Sequence, residues 1–417
     1  MKLSLKKNII ITNIGRLYNP GKTAYDNPQL LDDAVIIIKN SHIVFIGKKQ
    51  NIPLSLTKNV KFHEIHANHG LIIPGLIDCH THSVFAGNRS YEMELKFQNV
   101  PYVEILKKGG GIHYTVEQTR KAEKEILKKS LFSRLAQMLK YGVTSVEIKS
   151  GYGLDLETEL KCLQVIKEVS RETKQKLIPT YLGAHTIPKE FKDNPSEYIH
   201  LIINQCLPTI IKKNLARFCD IYIEDGAFSY DQAKIILTKA KELGLAIKIH
   251  AEQIMNCGGA RLAAELSAVS ADHLEKMTEK DCIILKQNNV TPVLLPGAAF
   301  FLRDNEVDFV EYIKRQKLDF AIATDFNPGS SPIINLLLCG TLAMQKWSLP
   351  THQVLYSMTK GAAKALALSA NYGEIAVGQK PNLSIFDVSH ENELFYWMGQ
   401  KTAKKVIIHS NIFNFGR

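Results

Sequence analysis

The 417-residue chain has no run of about 18 uninterrupted apolar residues, so no segment reads as a helix that spans a bilayer. Its first fourteen residues hold only a short apolar stretch, broken by Asn8, Thr12 and Asn13, which does not make a signal peptide. Seven cysteines (Cys79, Cys162, Cys206, Cys219, Cys257, Cys282 and Cys339) include no C-x-x-C pair. An odd, scattered set suits free thiols in a reducing compartment rather than a disulfide framework. A soluble, cytoplasmic protein is expected. The chain also lacks G-x-G-x-x-G, a Walker loop and G-x-S-x-G, the usual sequence marks of dinucleotide, nucleotide and serine-hydrolase sites.

Acidic residues are the minority charge, 41 against 52 basic ones, for a formal net charge of +11. The excess sits at the ends. Residues 1–60 carry nine Lys and Arg against three Asp and Glu, and residues 401–417 carry four against none. The middle is almost neutral, which argues against a nucleic-acid channel through the body of the protein. With 45% hydrophobic and 22% charged residues, disorder, collagen and coiled coil are excluded.

What remains reads as two β-rich ends around a different middle. Strands are expected at residues 8–14, 34–39, 42–48 and 60–67, with Asn40-Ser41 as the turn of a hairpin. Three more are expected near the other end, at 374–377, 383–388 and 405–409. Between residues 75 and 327 lie eight short apolar runs, at 75–82, 143–150, 176–185, 219–224, 246–252, 270–275, 291–296 and 319–327. Most starts are 21 to 43 residues apart, room for one helix and two loops. One helix is expected from Thr115, as N-cap, to Tyr141, with Leu127, Leu131, Leu135, Met138 and Leu139 as its apolar stripe and Gly142 ending it.

The fold class expected is therefore α/β, a (β/α)8 TIM barrel of the usual ~250 residues with a small β-sandwich domain built from both termini. The boundaries read as 1–70 and 366–417 for the β-sandwich domain and 71–365 for the barrel. An open doubly wound sheet is the competing arrangement, but its Gly-rich first turn is missing.

His80 and His82 are two apart on the first barrel strand, so both imidazoles can face one ion. His250, His273 and Asp325 close the fifth, sixth and eighth strands, and active sites of such barrels gather at those carboxyl ends. These residues resemble the amidohydrolase superfamily. Within it, five segments resemble the imidazolonepropionases of histidine degradation: Asp78-Cys-His-Thr-His-Ser-Val-Phe-Ala-Gly-Asn-Arg89, Gly109-Gly-Gly-Ile112, Glu147-Ile-Lys-Ser-Gly-Tyr-Gly153, Leu182-Gly-Ala-His185 and Thr324-Asp-Phe-Asn-Pro-Gly-Ser-Ser331.

The resemblance implies a hydrolase that opens 4-imidazolone-5-propanoate to N-formimidoyl-L-glutamate, working as a cytoplasmic homodimer with no nucleic-acid or membrane partner. It implies one Zn2+ or Fe3+ per subunit on His80, His82, His250 and Asp325. The fourth strand carries no lysine for a carboxylated bridge, which points to a single metal. Asp325 would also move the water's proton, and His273 would orient the nucleophile and oxyanion, with a further ligand or a buried structural histidine as its alternatives. Arg89 would meet the substrate carboxylate. Tyr152, His185, Asn327, Gly329 and Ser330 would contact substrate or product, with His185 donating to the carbonyl. Gln253 takes a contacting role by position, with Glu252 as the alternative. Gly109–Gly111 reads as a lid or as an ordinary surface turn. A purine or pyrimidine deaminase of the same superfamily, or a catalytically dead scaffold, would share the fold without this substrate.

Overall fold

The computed structural model describes residues 8–98, 110–368 and 372–415. The strands in chain order are β1 (Asn8–Asn19), β2 (Gln29–Lys39), β3 (His42–Lys48), β4 (His63–His66), β5 (Leu71–Pro74), β6 (Leu76–Asp78), β7 (Val143–Lys149), β8 (Lys176–Ala184), β9 (Phe218–Ile221), β10 (Ala246–Ala251), β11 (Ser270–His273), β12 (Thr291–Leu294), β13 (Ala321–Ile322), β14 (Asn382–Phe386), β15 (Lys405–Ile408) and β16 (Asn411–Asn414).

Both termini meet in one mixed sheet, ordered β16-β15-β14-β5-β1-β2-β3, with β4 also paired to β1. Alternation dictates its core. Ile9 and Ile11 share a face of β1, and a register shift between Ile11 and Ile14 re-aims the strand. They pack with Ile36, Ile38, Ile65, Ile72, Ile385 and Ile407. Full burial of each such side chain is worth roughly 1.5–3 kcal/mol. Asn40 (φ 49°) and Ser41 (φ 63°) are both left-handed, as a two-residue hairpin turn between β2 and β3 requires. β5 pairs with β14 and β1, so the mixed sheet extends through Pro74, one strand past the boundary expected at residue 70.

Strands β6 to β13 form the second sheet, eight parallel strands in chain order. Its ends meet through a bridge between Thr81 and Phe326, with His82 N–H donating to the Phe326 carbonyl (2.9 Å) and Asp325 N–H to that of His80 (3.0 Å). The sheet closes into the expected (β/α)8 barrel. All seven residues of β7 are buried, polar ones included. Val146 and Ile148 pack with the surrounding helices, while Ser145, Glu147 and Lys149 occupy the alternate positions. A separate apolar cluster joins Ile77, Ile178, Phe218, Val293 and Ala321 with Ala362 and Leu366. His80, His82, His250, His273 and Asp325 lie at or just past the carboxyl ends of their strands. Among the described residues, no helix is long and apolar enough to cross a membrane.

Three local expectations need correction. The helix expected from Thr115 to Tyr141 is two helices, Ile112–Lys121 and Lys124–Lys140, with extended backbone at Ala122 and Glu123. Lys161 breaks it by donating to the carbonyls of Thr119, Arg120 and Ala122 (3.1, 2.9 and 2.9 Å), which satisfies the end of the first helix from a neighbouring one. Thr115 is accordingly a buried interior residue and no cap. Residues 374–377 form no strand. Ile375 is instead clamped by the Asn19 side chain, which accepts from its N–H (2.8 Å) and donates to its carbonyl (2.7 Å).

A candidate metal-dependent active site

Barrel closure sets the register of the site. Because His80 and His82 pair with the backbone around Asp325, their Nε2 atoms lie 3.4 and 3.2 Å from Asp325 Oδ1. His250, near the end of β10, brings its Nε2 to 3.4 Å from His82 Nε2. Donor atoms of His80, His82 and His250 fall within 4.8 Å of one another, as do those of His80, His273 and Asp325. Four histidines and one aspartate from four stretches of chain thus converge, all at most 3% exposed.

The chemistry of this set fits a cation. His80 Nδ1 donates to Asp272 Oδ2 at 2.6 Å and His250 Nδ1 to Asp220 Oδ1 at 3.1 Å, so each ring turns its Nε2 to the point of convergence. The buried His80 Nε2 makes no hydrogen bond, and neither does His82 Nδ1. Burial, with Lys149 and His250 nearby, pushes His80 down to about 3, which keeps it unprotonated and able to bind a metal. Burial would raise Asp325, but the His80 and His82 imidazoles beside its Oδ1 outweigh that and hold it well below the usual carboxylate range.

Behind the cage lies a buried ion network absent from the sequence reading. Lys149 Nζ contacts Asp220 (2.6 Å), Glu147 (2.8 Å) and Asp272 (3.7 Å), and Lys248 Nζ lies 3.5 Å from Asp272. In β9 the polar position of the fourth strand is Asp220, with no lysine in the strand. The signal that could have found these residues is Glu147-Ile-Lys149, charged residues at the same two-residue spacing as His80 and His82.

The strand ends are also strained. Glu252 (φ 50°), His273 (φ 82°), Leu274 (φ 75°) and Asp325 (φ 52°) are all left-handed, each at a cost of about 1–3 kcal/mol. The closed barrel holds them there.

The cage opens into a cavity of about 1070 Å³, which His82, His250, His273 and Asp325 share with Arg89, Tyr152, His185, Gln253, Asn327, Gly329 and Ser330. Each of these contributes differently. Arg89 meets Glu92 through Nε and Nη2, both at 2.8 Å, and a Cβ on Gly329 would stand 2.2 Å from its Nη1, so a larger residue there would push the guanidinium aside. Glu92 also accepts from Gly111 N–H (2.7 Å), tying that loop to Arg89. Gly109, the start of the expected lid, lies outside the described residues.

His185 stacks on His82 with ring centroids 5.1 Å apart, and its Nδ1 donates to the Gly151 carbonyl at 3.0 Å. Burial holds this imidazole neutral. In this arrangement its Nε2 is an acceptor, whereas the sequence reading has His185 donating to a carbonyl. Asn327 turns its side chain onto its own loop, accepting from the N–H groups of Gly329 and Ser330 (2.8 and 2.7 Å) and donating to the Asp325 carbonyl (2.6 Å). It shapes the turn, and those two backbone amides are already occupied. Glu252 accepts from Gly259 and Ala260 N–H (2.5 and 2.8 Å), away from the cavity that Gln253 lines.

Residues 71–413 match the family model described as the amidohydrolase family. An imidazolonepropionase of Psychromonas ingrahamii is 42% identical over 380 residues, covering 91% of this chain and 93% of that protein. One from Shewanella baltica is 40% identical over 377 residues, covering 90% and 92%. The chain belongs to the imidazolonepropionase family of amidohydrolases. Among solved structures, a 5-methylcytosine deaminase from Klebsiella pneumoniae superposes with a TM-score of 0.73 at 16% identity, covering 98% of each chain. A guanine deaminase from C. acetobutylicum gives 0.70 at 15%, covering 97% of this chain and 100% of that one. At such identity these neighbours show the fold alone. The family and the geometry agree on a metal-dependent hydrolase.

Proposed function

We propose that the protein hydrolyses 4-imidazolone-5-propanoate to N-formimidoyl-L-glutamate, using one Zn2+ or Fe3+ held by His80, His82, His250 and Asp325. The observation that carries this reading is Arg89 in the same cavity as the cage, a cationic anchor for a substrate that has a carboxylate tail as well as a cyclic amide. An ion in this site would polarise water and bring its pKa toward neutrality.

The chain's own groups supply the rest. Asp325, ionised at any working pH, accepts the proton of the attacking water and passes it to the departing ring nitrogen. His273, its ring 5.7 Å from that of His80, orients the nucleophile and faces the carbonyl oxygen as charge develops. Arg89 holds the tail. Its Nε and Nη2 meet Glu92, and its Nη1 faces Gly329. His185 accepts a ring N–H through Nε2, while the Tyr152 hydroxyl and Gln253 complete the rim. Ser330 and Asn327 support this set by bracing Asp325: the Ser330 hydroxyl is 3.4 Å from Asp325 Oδ2.

Metal-loaded protein should convert the imidazolone to formimidoylglutamate without releasing ammonia, followed by loss of the imidazolone absorbance and by mass spectrometry. Turnover of guanine or cytosine with ammonia release, and none of the imidazolone, would overturn the assignment. Metal analysis should find one equivalent per chain, its identity deciding between zinc and iron. We further place the protein in the cytoplasm, where its free cysteines stay reduced, as a homodimer that sedimentation would detect at twice the mass of one chain.

A further inference from the structure

The turn that carries Tyr152 is wrapped around a carboxylate with no place in the chemistry above. We propose that Glu159, which does not line the cavity, is a positioning residue that sets Tyr152 and His185 together by holding the turn from Gly151 to Leu154. The proposal rests on the reading of this pocket as the imidazolone site.

Glu159 lies in the first turn of the helix Leu156–Glu172 and is 1% exposed. Its Oε1 accepts from the N–H groups of Gly151, Gly153 and Leu154 at 3.1, 2.7 and 3.0 Å, and its Oε2 is also 3.1 Å from Gly151 N. Three backbone donors on one carboxylate form a concave nest, and each bond is strengthened by the charge it receives. Glutamine would remove the charge from this oxygen and turn an amide in place of Oε2 toward the Gly151 N–H, a donor.

The turn so held reaches the pocket on two sides. Tyr152 is its central residue, with its ring 5.9 Å from that of His82 and 5.4 Å from that of His185. Gly151, left-handed at φ +101°, presses its backbone toward the third barrel strand, where an added Cβ would lie 2.9 Å from the Leu182 carbonyl and 3.0 Å from His185 Nδ1. The carbonyl of this same Gly151 fixes His185 as an acceptor on its other nitrogen. Arg120 grips the opposite edge of the turn, donating to the carbonyls of Gly153 and Leu154 at 2.7 and 3.2 Å. Glu159 thus holds the amides, and Arg120 the carbonyls, of a loop whose position places one tyrosine and selects one histidine tautomer.

The test measures binding of imidazole-4-propanoate, which has the ring and tail but no scissile carbonyl, to metal-loaded protein by calorimetry. Glu159→Gln should weaken binding about tenfold while leaving one equivalent of metal bound. In a Tyr152→Phe background the same change should cost threefold or less, because the two act through one turn. Wild-type affinity in Glu159→Gln, or effects that simply multiply, would overturn the proposal. Should that variant not fold, Arg120→Met, on a partly exposed side chain, decides: weakened binding at full metal content supports the proposal, and unchanged binding overturns it. A wild-type protein that neither binds the analogue nor turns over the imidazolone would instead sink the functional reading, and the positioning role with it.

Discussion

Replacing Asp272 with asparagine removes one negative charge from behind the cage while keeping the side chain's shape. Asp272 Oδ2 accepts from His80 Nδ1 at 2.6 Å and faces Lys248 at 3.5 Å and Lys149 at 3.7 Å. Burial would raise this carboxyl, but Lys248 and His80 outweigh it and hold it ionised. Two costs follow from its loss. A carboxylate that orients a metal-binding histidine is typically worth 10–100-fold in metal affinity, or about 1.4–2.8 kcal/mol. Leaving a buried ammonium without its partner costs about 3–5 kcal/mol of folding stability. The larger cost falls on the apo fold and the smaller on the ion, so two measurements separate them. Urea unfolding of metal-free protein should show the loss in stability, and competition with a chromophoric chelator should show the loss in affinity. Metal affinity within twofold of wild type, in a folded variant, would refute the orienting role and leave Asp272 a purely structural partner of the lysines.

Gly329→Ala should raise KM for the imidazolone about tenfold, with smaller change in kcat and unchanged metal content, because the new Cβ at 2.2 Å from Nη1 displaces an Arg89 that Glu92 holds on its other side. Normal KM would show that Arg89 does not meet the tail. A pH series on Glu252→Gln tests a different group: burial raises Glu252 from 4.5 to about 7. A raised carboxyl favours the folded state below its unfolded pKa, and that contribution fades as pH rises through about 7, by on the order of 3 kcal/mol. Wild-type stability should therefore fall between pH 5 and 8, and Glu252→Gln should flatten that slope; equal slopes in both proteins would contradict the shift.

How much was legible in the sequence depended on whether the signal was local. His80-x-His82 announces a shared face by itself, and the spacing of eight apolar runs announces repeated βα units, so cage and barrel both follow from short-range pattern. Asp220 and Asp272 carry no such mark, because each meets a histidine from another strand and becomes recognisable only once register is known. The same holds for the break at Ala122–Glu123, imposed by a lysine some forty residues further along the chain. Residues 374–377 have β-strand composition but meet an asparagine side chain where a ladder would be. The His185 tautomer is likewise decided by a carbonyl that sequence alone does not place.

The closure of the barrel has one last consequence. Among the described residues, β6 and β13 join through a single bridge, two backbone bonds beside it and the Asp78 carboxyl gripping Thr324 through N–H (3.1 Å) and hydroxyl (2.6 Å). That seam is the shortest stitch in the sheet, and His80, His82 and Asp325 straddle it. A cation clasped there would rivet the first strand to the last. Loading the ion and locking the cylinder are then one event, and the amide hydrogens of His82 and Asp325 become its natural reporters in hydrogen exchange.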